Sequence, residues 1–204
     1  MMNLAIYAFD EVEALDFAGP YEVFTCASRV SVKHGLGEAP FKVFAVAERM
    51  APVKARAGLA LMPDYSCADH PPIDLLVVPG GVVTAELEKP RVLDWIATQA
   101  ASARITSSVC TGAFLLGAAG LLAGRRVTTH WEDLDDLRQL LAVRAPTARV
   151  VDGVRWVDEG ALLTSAGISA GIDMSLHLVS RLVSPELARL TARQMDYPWN
   201  PQPD

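Results

Sequence analysis

The segment from Asp74 to Gly81 constrains the fold more than any other part of the sequence. Four apolar residues, Leu75-Leu76-Val77-Val78, follow Asp74, and the run stops at Pro79-Gly80-Gly81. A continuous apolar run of this length, bounded by turn residues, is typical of a strand that is buried on both faces of a parallel sheet. Because such a strand needs helices on both sides, the segment predicts an α/β fold.

Strand and helix patterns alternate along the rest of the chain. A short apolar run at 4–9 precedes an acidic loop and a helical pattern that opens at Gly19-Pro20. The other predicted elements are strands at 41–47, 104–109, 127–129, 150–151, 154–157 and 161–164, a hairpin at 53–62, a loop at 63–72, helices at 90–102, 111–124, 132–142, 172–183 and 185–194, and an irregular tail at 198–203. This alternation predicts one domain over residues 1–204, a three-layer α/β sandwich with a mostly parallel central sheet and helices on both faces.

Composition narrows the possible partners and surroundings. The formal net charge of -6 argues against nucleic acid, because nucleic-acid binders concentrate Lys and Arg on their surface. The apolar start is broken by acidic residues too early for a signal peptide, and no stretch is apolar enough to span a bilayer. The three cysteines have unrelated spacings, which predict neither a disulfide framework nor a metal cluster. We therefore expect a cytoplasmic protein that binds neither nucleic acid nor a membrane.

Cys110 stands where a predicted strand passes into a predicted helix, in Ser108-Val109-Cys110-Thr111-Gly112. In open α/β sheets, ligands bind beyond the carboxyl ends of the strands, where helices begin. The positive end of a helix favours the thiolate, so we expect the pKa of Cys110 to lie below the free value of about 8.5. The pattern predicts a nucleophile elbow, with the Thr111 N–H and Gly80-Gly81 as donors to an anion on the substrate. The alternative is that Cys110 is only a small buried hydrophobe.

A nucleophile needs a group beside it that accepts and donates protons, and Asp16 is our candidate. It follows the first strand, and its neighbours Leu15 and Phe17 predict partial desolvation. The alternative is that Asp16 caps a helix starting near Gly19, and the spacing fits both interpretations.

Other titratable residues give weaker signals. His130, after a predicted strand, is a secondary candidate to orient or deprotonate the cysteine, or a hydrogen-bonded structural residue. Cys26 falls in a helix and Cys67 in a polar loop, so neither has the surroundings of a nucleophile. No histidine spacing resembles a metal site, and we expect no metal.

Five segments of this chain resemble motifs of the ThiJ/PfpI superfamily, which has a class I glutamine amidotransferase-like fold. The resemblance covers nearly the whole chain, and its motifs have the order and separations of the family. The segments are Leu15-Asp16-Phe17-Ala18-Gly19-Pro20, Pro79-Gly80-Gly81, Ser108-Val109-Cys110-Thr111-Gly112, Val127-Thr128-Thr129-His130-Trp131 and the stretch 165–173.

Within the superfamily the chain is most similar to the isocyanide hydratases. The resemblance implies conversion of R–N≡C and water to an N-substituted formamide, without a cofactor, by a homodimer acting on a small-molecule substrate. It also implies that Cys110 is the nucleophile and Asp16 the acid and base, with Thr111 positioning Asp16 or the water. Gly167 and Ile168 match a linker beside the cysteine, where helix motion is associated with turnover, although a purely structural helix start is equally compatible.

Other branches of the superfamily provide the alternatives. The peptidase-like branch places a histidine after the cysteine, and the glyoxalase-like branch uses a nearby glutamate, whereas here Thr111 and Asp16 take those places. AraC-type regulators share the motifs but carry a further helix-turn-helix domain, and the short sequence after Tyr197 favours the hydratases. A sensor or oxidative-stress domain and a glyoxalase-like activity therefore stay as alternatives.

Overall fold

A computed structural model describes residues 1–202 of the chain. In this part the chain forms strands β1 (Met2–Ala8), β2 (Phe41–Ala47), β3 (Val53–Lys54), β4 (Ala60–Leu61), β5 (Tyr65–Ser66), β6 (Leu75–Val78), β7 (Ile105–Val109), β8 (Arg126–Val127), β9 (Arg149–Val150), β10 (Trp156–Asp158) and β11 (Leu162–Ser165). The helices are α1 (Ala14–Lys33), α2 (Thr84–Leu87), α3 (Pro90–Ser102), α4 (Gly112–Ala118), α5 (Leu134–Arg144), α6 (Ala170–Leu182) and α7 (Pro185–Gln194). Short 3-10 turns lie at Arg56–Gly58 and Trp131–Asp133.

The central sheet contains seven strands in the order β10, β11, β7, β6, β1, β2, β5. Neighbouring strands run parallel, except that β10 is antiparallel to β11. All four residues of β6 are buried, as their continuous apolar run predicts. Helices α1, α6 and α7 pack together as one group, and α2 to α5 form a second group. The sheet lies between helical layers, and the predicted α/β fold is confirmed.

The strand order creates a place for a ligand. From β1 the chain moves outward to β2, whereas β6 and β7 lie on the other side of β1. Ligands in sheets of this kind bind at the carboxyl ends of the strands where the order reverses. Here that point lies beyond β1 and β6, and the next strand on this side is β7, which ends directly before Cys110.

Several predicted boundaries were wrong. Helix α1 begins at Ala14 rather than near Gly19, because its buried face already includes Phe17 and continues past Pro20 to Phe24. The loop at 63–72 contains β5, which pairs with the end of β2 at the sheet edge. Strand β8 pairs only with β9, in a separate two-stranded sheet. The predicted irregular tail is irregular as far as residue 202, and Pro203 lies outside the described residues.

Residues 1–202 include neither a membrane-spanning helix nor a cluster of metal ligands. None of the helices there is long and apolar enough to cross a membrane. Nor do these residues contain a group of three or more His, Cys, Asp or Glu side chains that could hold a metal ion.

Candidate active site

Cys110 lies on a strained turn between β7 and α4. Its φ is 55°, in the left-handed region that residues with a Cβ rarely adopt. Its N–H donates to the carbonyls of Ser165 (3.1 Å) and Ala166 (3.3 Å), and its own carbonyl accepts from Thr129 Oγ1 (2.8 Å). Strained backbone of this kind persists only where its surroundings fix it, and it concentrates at functional sites. These contacts hold the predicted elbow, and the sequence did not point to Thr129 as one of its supports.

Gly112 is required at the elbow because its backbone lies very close to the end of β6, not because its φ is unusual. A Cβ at this position would lie 2.1 Å from the carbonyl oxygen of Val78 at the end of β6. Only glycine lets α4 start so close to the neighbouring strand. The first turn of α4 therefore lies directly above the end of β6.

Asp16 lies in the first turn of α1, and its side chain is fully buried. Backbone contacts between two loops bring it to the elbow, because the Glu13 N–H donates to the Gly80 carbonyl (2.8 Å). The Gly80 N–H in turn donates to Asp16 Oδ2 (3.0 Å). Since Asp16 is inside α1, the alternative that it caps a helix starting near Gly19 is wrong.

The second carboxylate oxygen of Asp16 is the open acceptor of the site. Within the described residues, Oδ1 is buried and has no hydrogen-bond partner. The Cys110 thiol and the Ile168 N–H lie close enough to the carboxyl group to lower its pKa, although neither meets hydrogen-bond geometry with Oδ1. Buried polar atoms are normally paired, so an unpaired carboxylate oxygen beside a thiol marks where a proton can go.

Burial dominates the acid–base properties of this pair. It raises the pKa of Asp16 to about 7, against the lowering effect of the Gly80 N–H. Burial and then the nearby Asp16 carboxylate raise the pKa of Cys110 to about 12, although the Thr111 N–H stabilises the sulfur. The expected low pKa of Cys110 is therefore wrong, because desolvation and a neighbouring negative charge outweigh the helix N-terminus. At neutral pH the sulfur carries its proton and the carboxyl is half ionised.

Of the three N–H groups predicted to stabilise an anion on the substrate, those of Gly80 and Gly81 already have partners, whereas that of Thr111 faces the sulfur. The Gly80 N–H is engaged by Asp16, and the Gly81 N–H donates to Thr111 Oγ1 (2.8 Å). The Thr111 hydroxyl donates to the Gly81 carbonyl (2.8 Å), so its proton does not point at Asp16 or at a water beside it. In this arrangement neither glycine N–H is free for a substrate. The Thr111 N–H, which faces Cys110, is the remaining candidate donor.

We expect Gly80→Ala to disrupt this arrangement and to destabilise the protein. The new Cβ would lie 2.6 Å from both the N and the Oγ1 of Thr111 and 2.9 Å from Asp16 Oδ2. Overpacking of this kind typically lowers the free energy of unfolding by about 1–3 kcal/mol. Urea unfolding measures the change, with Val143→Ala as the control, because Val143 is 82% exposed on α5 and its truncation should change the free energy of unfolding little. Equal stability of the two variants would contradict the prediction.

His130 lies at the edge of the site with its ring turned toward acidic residues. Its Nδ1 accepts from the Glu132 N–H (3.3 Å) and lies 3.4 Å from Asp133 Oδ2. No hydrogen bond joins it to Cys110 within residues 1–202. The ring packs against Gly167, where a Cβ would lie 2.0 Å from His130 Cδ2. His130 and Gly167 are therefore in contact, and this contact supports the structural interpretation of His130.

A small pocket of about 200 Å³ opens onto the thiol. Cys110, 7% exposed, contributes to its wall. The residues that line it, several of them charged, are Glu13, Arg56, Gly81, Cys110, Thr111, His130, Glu132, Asp133 and Ile168. Arg56 forms an ion pair with Glu13 (3.2 Å). The negative charges of Glu132 and Asp133 are therefore less fully neutralised than that of Glu13. Sequence patterns gave no sign of these charged residues, because they come from separate loops.

A larger cleft lies elsewhere on the same protein. It measures about 330 Å³, and its walls include Tyr7, Glu48 and Lys89 but no cysteine. We place the chemistry at Cys110 instead, because the strained elbow, the buried carboxyl and the pocket coincide there. Cys26 is buried in α1 and Cys67 is half-buried, and burial raises the pKa of each thiol.

Comparison with known proteins identifies the family of this chain. The sequence matches the DJ-1/PfpI family over residues 2–181. An isonitrile hydratase from Pseudomonas putida is 38% identical over 197 residues, covering 96% of this chain and 78% of that protein. The HTH-type transcriptional regulator GbdR from Pseudomonas aeruginosa is 31% identical over 145 residues, covering 71% of this chain but 38% of the regulator.

Solved structures give the same picture of the fold. A ThiJ/PfpI family protein from Pseudomonas syringae superposes with a TM-score of 0.84 at 28% sequence identity. The match covers 98% of this chain and 76% of that protein. The resemblance inferred from the five sequence segments is therefore confirmed at the level of family and fold.

Proposed function

We propose that this chain, which belongs to the DJ-1/PfpI family, is a cysteine-dependent hydratase that adds water to small isocyanides. The observation that carries the proposal is the buried Asp16 carboxyl beside the Cys110 thiol, which lines a small pocket. The similarity to an isonitrile hydratase over nearly the whole chain supports the same activity, since isonitrile is another name for isocyanide.

The pair can perform the first half of the reaction. Ionised Asp16, the nearest base, takes the thiol proton while the sulfur of Cys110 attacks the terminal isocyanide carbon. One carbon–nitrogen π bond is lost as the carbon–sulfur bond forms. The proton then passes from Asp16 to that carbon, giving the thioimidate R–N=CH–S–Cys110. The Thr111 N–H, which faces the sulfur, helps to hold it as negative charge develops.

Water completes the reaction. Asp16, again ionised, accepts a proton from a water molecule, and the oxygen adds to the thioimidate carbon. The nitrogen gains a proton, the carbon–sulfur bond breaks, and Cys110 regains its thiol proton. The product is R–NH–CHO, so the sum is isocyanide plus one water. No redox change occurs, and the chain's own groups and water account for every proton.

The pKa values of the pair suit this order of events. A thiol that stays protonated at rest is protected from adventitious oxidation, and a carboxyl with a pKa of about 7 is a base in a useful fraction of the molecules. The thiolate then forms only as the substrate accepts it. These pKa values therefore favour a cysteine that adds to an electrophilic carbon. They argue against a sensor whose cysteine rests as a thiolate and reacts with peroxide.

Formamide formation from an aryl isocyanide tests the proposal. We expect pure protein to convert the isocyanide to the N-aryl formamide with multiple turnovers, because Cys110 is released in each cycle. Chromatography with mass spectrometry measures the product, and heat-denatured protein is the control for spontaneous hydration. Absence of turnover across a panel of small aryl and alkyl isocyanides would contradict the proposal.

A sensing module is the second candidate, and the similarity to the regulator GbdR favours it. In that case a ligand binds or peroxide oxidises Cys110, and no substrate is consumed. Conversion of Cys110 to a sulfinate by dilute peroxide, without loss of any isocyanide or glyoxal from solution, would support this candidate. Loss of a glyoxal instead would support a glyoxalase-like activity. The homodimer, the cytoplasmic location and the absence of a nucleic-acid partner stay predictions.

A further inference from the structure

A cluster around Arg155 lies behind the pocket and has no place in the mechanism above. Arg155 Nε donates to Asp173 Oδ2 (2.8 Å), and its Nη2 contacts the same oxygen. The Nη2 also donates to Ser169 Oγ (3.1 Å). Asp173 is 6% exposed in the first turn of α6, and the Tyr197 hydroxyl packs against it. The guanidinium therefore joins the start of α6 to the segment before β10.

The segment held by this cluster also touches the elbow. The Ala166 N–H donates to the Arg155 carbonyl (2.9 Å), and the Ala166 carbonyl accepts from the Cys110 N–H (3.3 Å). Two residues on, Ile168 has a φ of 53° and forms part of the pocket wall. A β-branched residue in the left-handed region is strained, and it holds that conformation only where neighbouring contacts fix it. Ser169 directly follows Ile168, and Arg155 contacts both Ser169 and Asp173.

We propose that Arg155 is a positioning residue for the Cys110 pocket: by holding Ser169 and Asp173 it keeps Ile168 strained, with its N–H beside the Asp16 carboxyl. That N–H stabilises the ionised carboxyl and so lowers the pKa of Asp16. Without the guanidinium, Ile168 can relax to an ordinary φ and its N–H moves away. The pKa of Asp16 then rises further. The inference rests on the proposed pairing of Asp16 with Cys110, but it does not require an isocyanide as substrate.

Other groups that face the pair are left in place by this change. Glu13, which directly precedes α1, raises the pKa of Asp16, and Cys110 faces Asp16 from the end of β7. Asp133 acts on Cys110 from the opposite wall, and His130 lies beside Asp133. Within residues 1–202 the Arg155 side chain has no hydrogen bond or ion pair with any of these groups, so a change in the titration of Asp16 reports on Ile168 rather than on a broken contact to the pair.

Alkylation of Cys110 by iodoacetamide tests the inference without any isocyanide. Peptide mass spectrometry gives the rate at Cys110 alone, and we expect the wild-type rate to rise with pH through a midpoint near 7, as Asp16 ionises. In Arg155→Gln we expect the midpoint to rise by about half a pH unit or more, which makes alkylation about threefold slower at pH 6. The control is Arg181→Gln, which breaks an ion pair with Asp158 (2.7 Å) at the far end of α6.

A second variant keeps the test decisive if Arg155→Gln fails to fold. Ser169→Ala removes only the hydrogen bond from Arg155 Nη2 to Ser169 Oγ and leaves the ion pair with Asp173, and Ser169 makes no side-chain capping bond that would be lost. We expect a smaller upward change of the same midpoint. An unchanged midpoint in both folded variants, or an equal change in Arg181→Gln, overturns the inference. A wild-type profile without a midpoint near 7 overturns the pairing with Asp16 itself, whether or not isocyanides are hydrated.

Discussion

Cys110→Ser is expected to lower kcat/KM for an aryl isocyanide by at least about a thousandfold. A serine hydroxyl is a weaker nucleophile than a thiol and holds its proton far more tightly. Asp16, with a pKa of about 7, is too weak a base to remove that proton. The substitution changes one atom, so the strained φ of 55° and the backbone hydrogen bonds of Cys110 should survive.

The control for this experiment is Cys67→Ser. Cys67 is also a free cysteine, but it lies half-buried in the loop after β5 and does not line the pocket. We expect its loss to leave kcat/KM within about twofold of the wild type. Both variants should show the far-UV circular dichroism of the wild type. Hydration that continues in Cys110→Ser at a tenth of the wild-type rate or more would remove Cys110 from the mechanism.

The layers of the fold follow from patterns that a sequence displays directly. The apolar run of β6 predicts a doubly buried strand, and the alternation of strands and helices predicts the sandwich around it. Local rules failed where tertiary contacts decide the outcome. Pro20 marks a helix start by local rules, yet the buried face of α1 runs through it. Strand β5 has two residues, too few for a period, and exists because the edge of β2 pairs with it.

The sequence predicted that Cys110, Asp16 and Thr111 lie together, but it did not predict the electrostatics of the site or the charged residues around it. Cys110, Asp16 and Thr111 stand in motifs after strands whose carboxyl ends share one edge of the sheet, so their meeting follows from topology. The pKa of Cys110 does not follow, because it depends on how deeply the chain buries the thiol and on which charge faces it. The sequence indicated that a helix N-terminus would lower the pKa of Cys110. It did not indicate the larger effects of burial and of Asp16, which raise that pKa.

Residues that hold the site in place from distant loops show no local sequence pattern. Arg155 is an ordinary arginine by sequence, and its contacts with Ser169 and Asp173 cross 14 and 18 residues of chain. The signal that could have indicated it is the glycine-rich segment ending at Asp173, because an acid in a buried helix start needs a cation. That reasoning predicts a partner but does not identify which of the arginines provides it.

Asp16→Asn is expected to remove nearly all hydratase activity and at the same time to stabilise the protein above neutral pH. The amide cannot accept the thiol proton, so kcat should fall by about a hundredfold or more. The stability effect follows from the pKa, which burial raises from 3.8 to about 7. A group with a raised pKa stabilises the fold fully below its unfolded value, and that contribution is lost as the pH rises through 7.

The size of the stabilisation should therefore depend on pH in a defined way. Each pH unit between the two pKa values is worth about 1.4 kcal/mol, so the ionised carboxyl of Asp16 destabilises the fold at pH 8 by on the order of 4 kcal/mol. Asparagine keeps the acceptor for the Gly80 N–H without that charge. The variant should match the wild type in free energy of unfolding near pH 4 and exceed it increasingly up to pH 8.

Urea unfolding between pH 4 and pH 8 measures this difference, and Glu86→Gln provides the contrast. Glu86 is a buried carboxyl that, unlike Asp16, has a direct cationic partner: it accepts from Tyr7 (2.6 Å) and Lys89 (2.6 Å), so its neutralisation should destabilise the fold and leave hydration intact. If Asp16→Asn is no more stable than the wild type at pH 8, the carboxyl is not the strained, desolvated base that the mechanism requires. A stable but inactive variant would instead show that this site gives up stability for its proton acceptor.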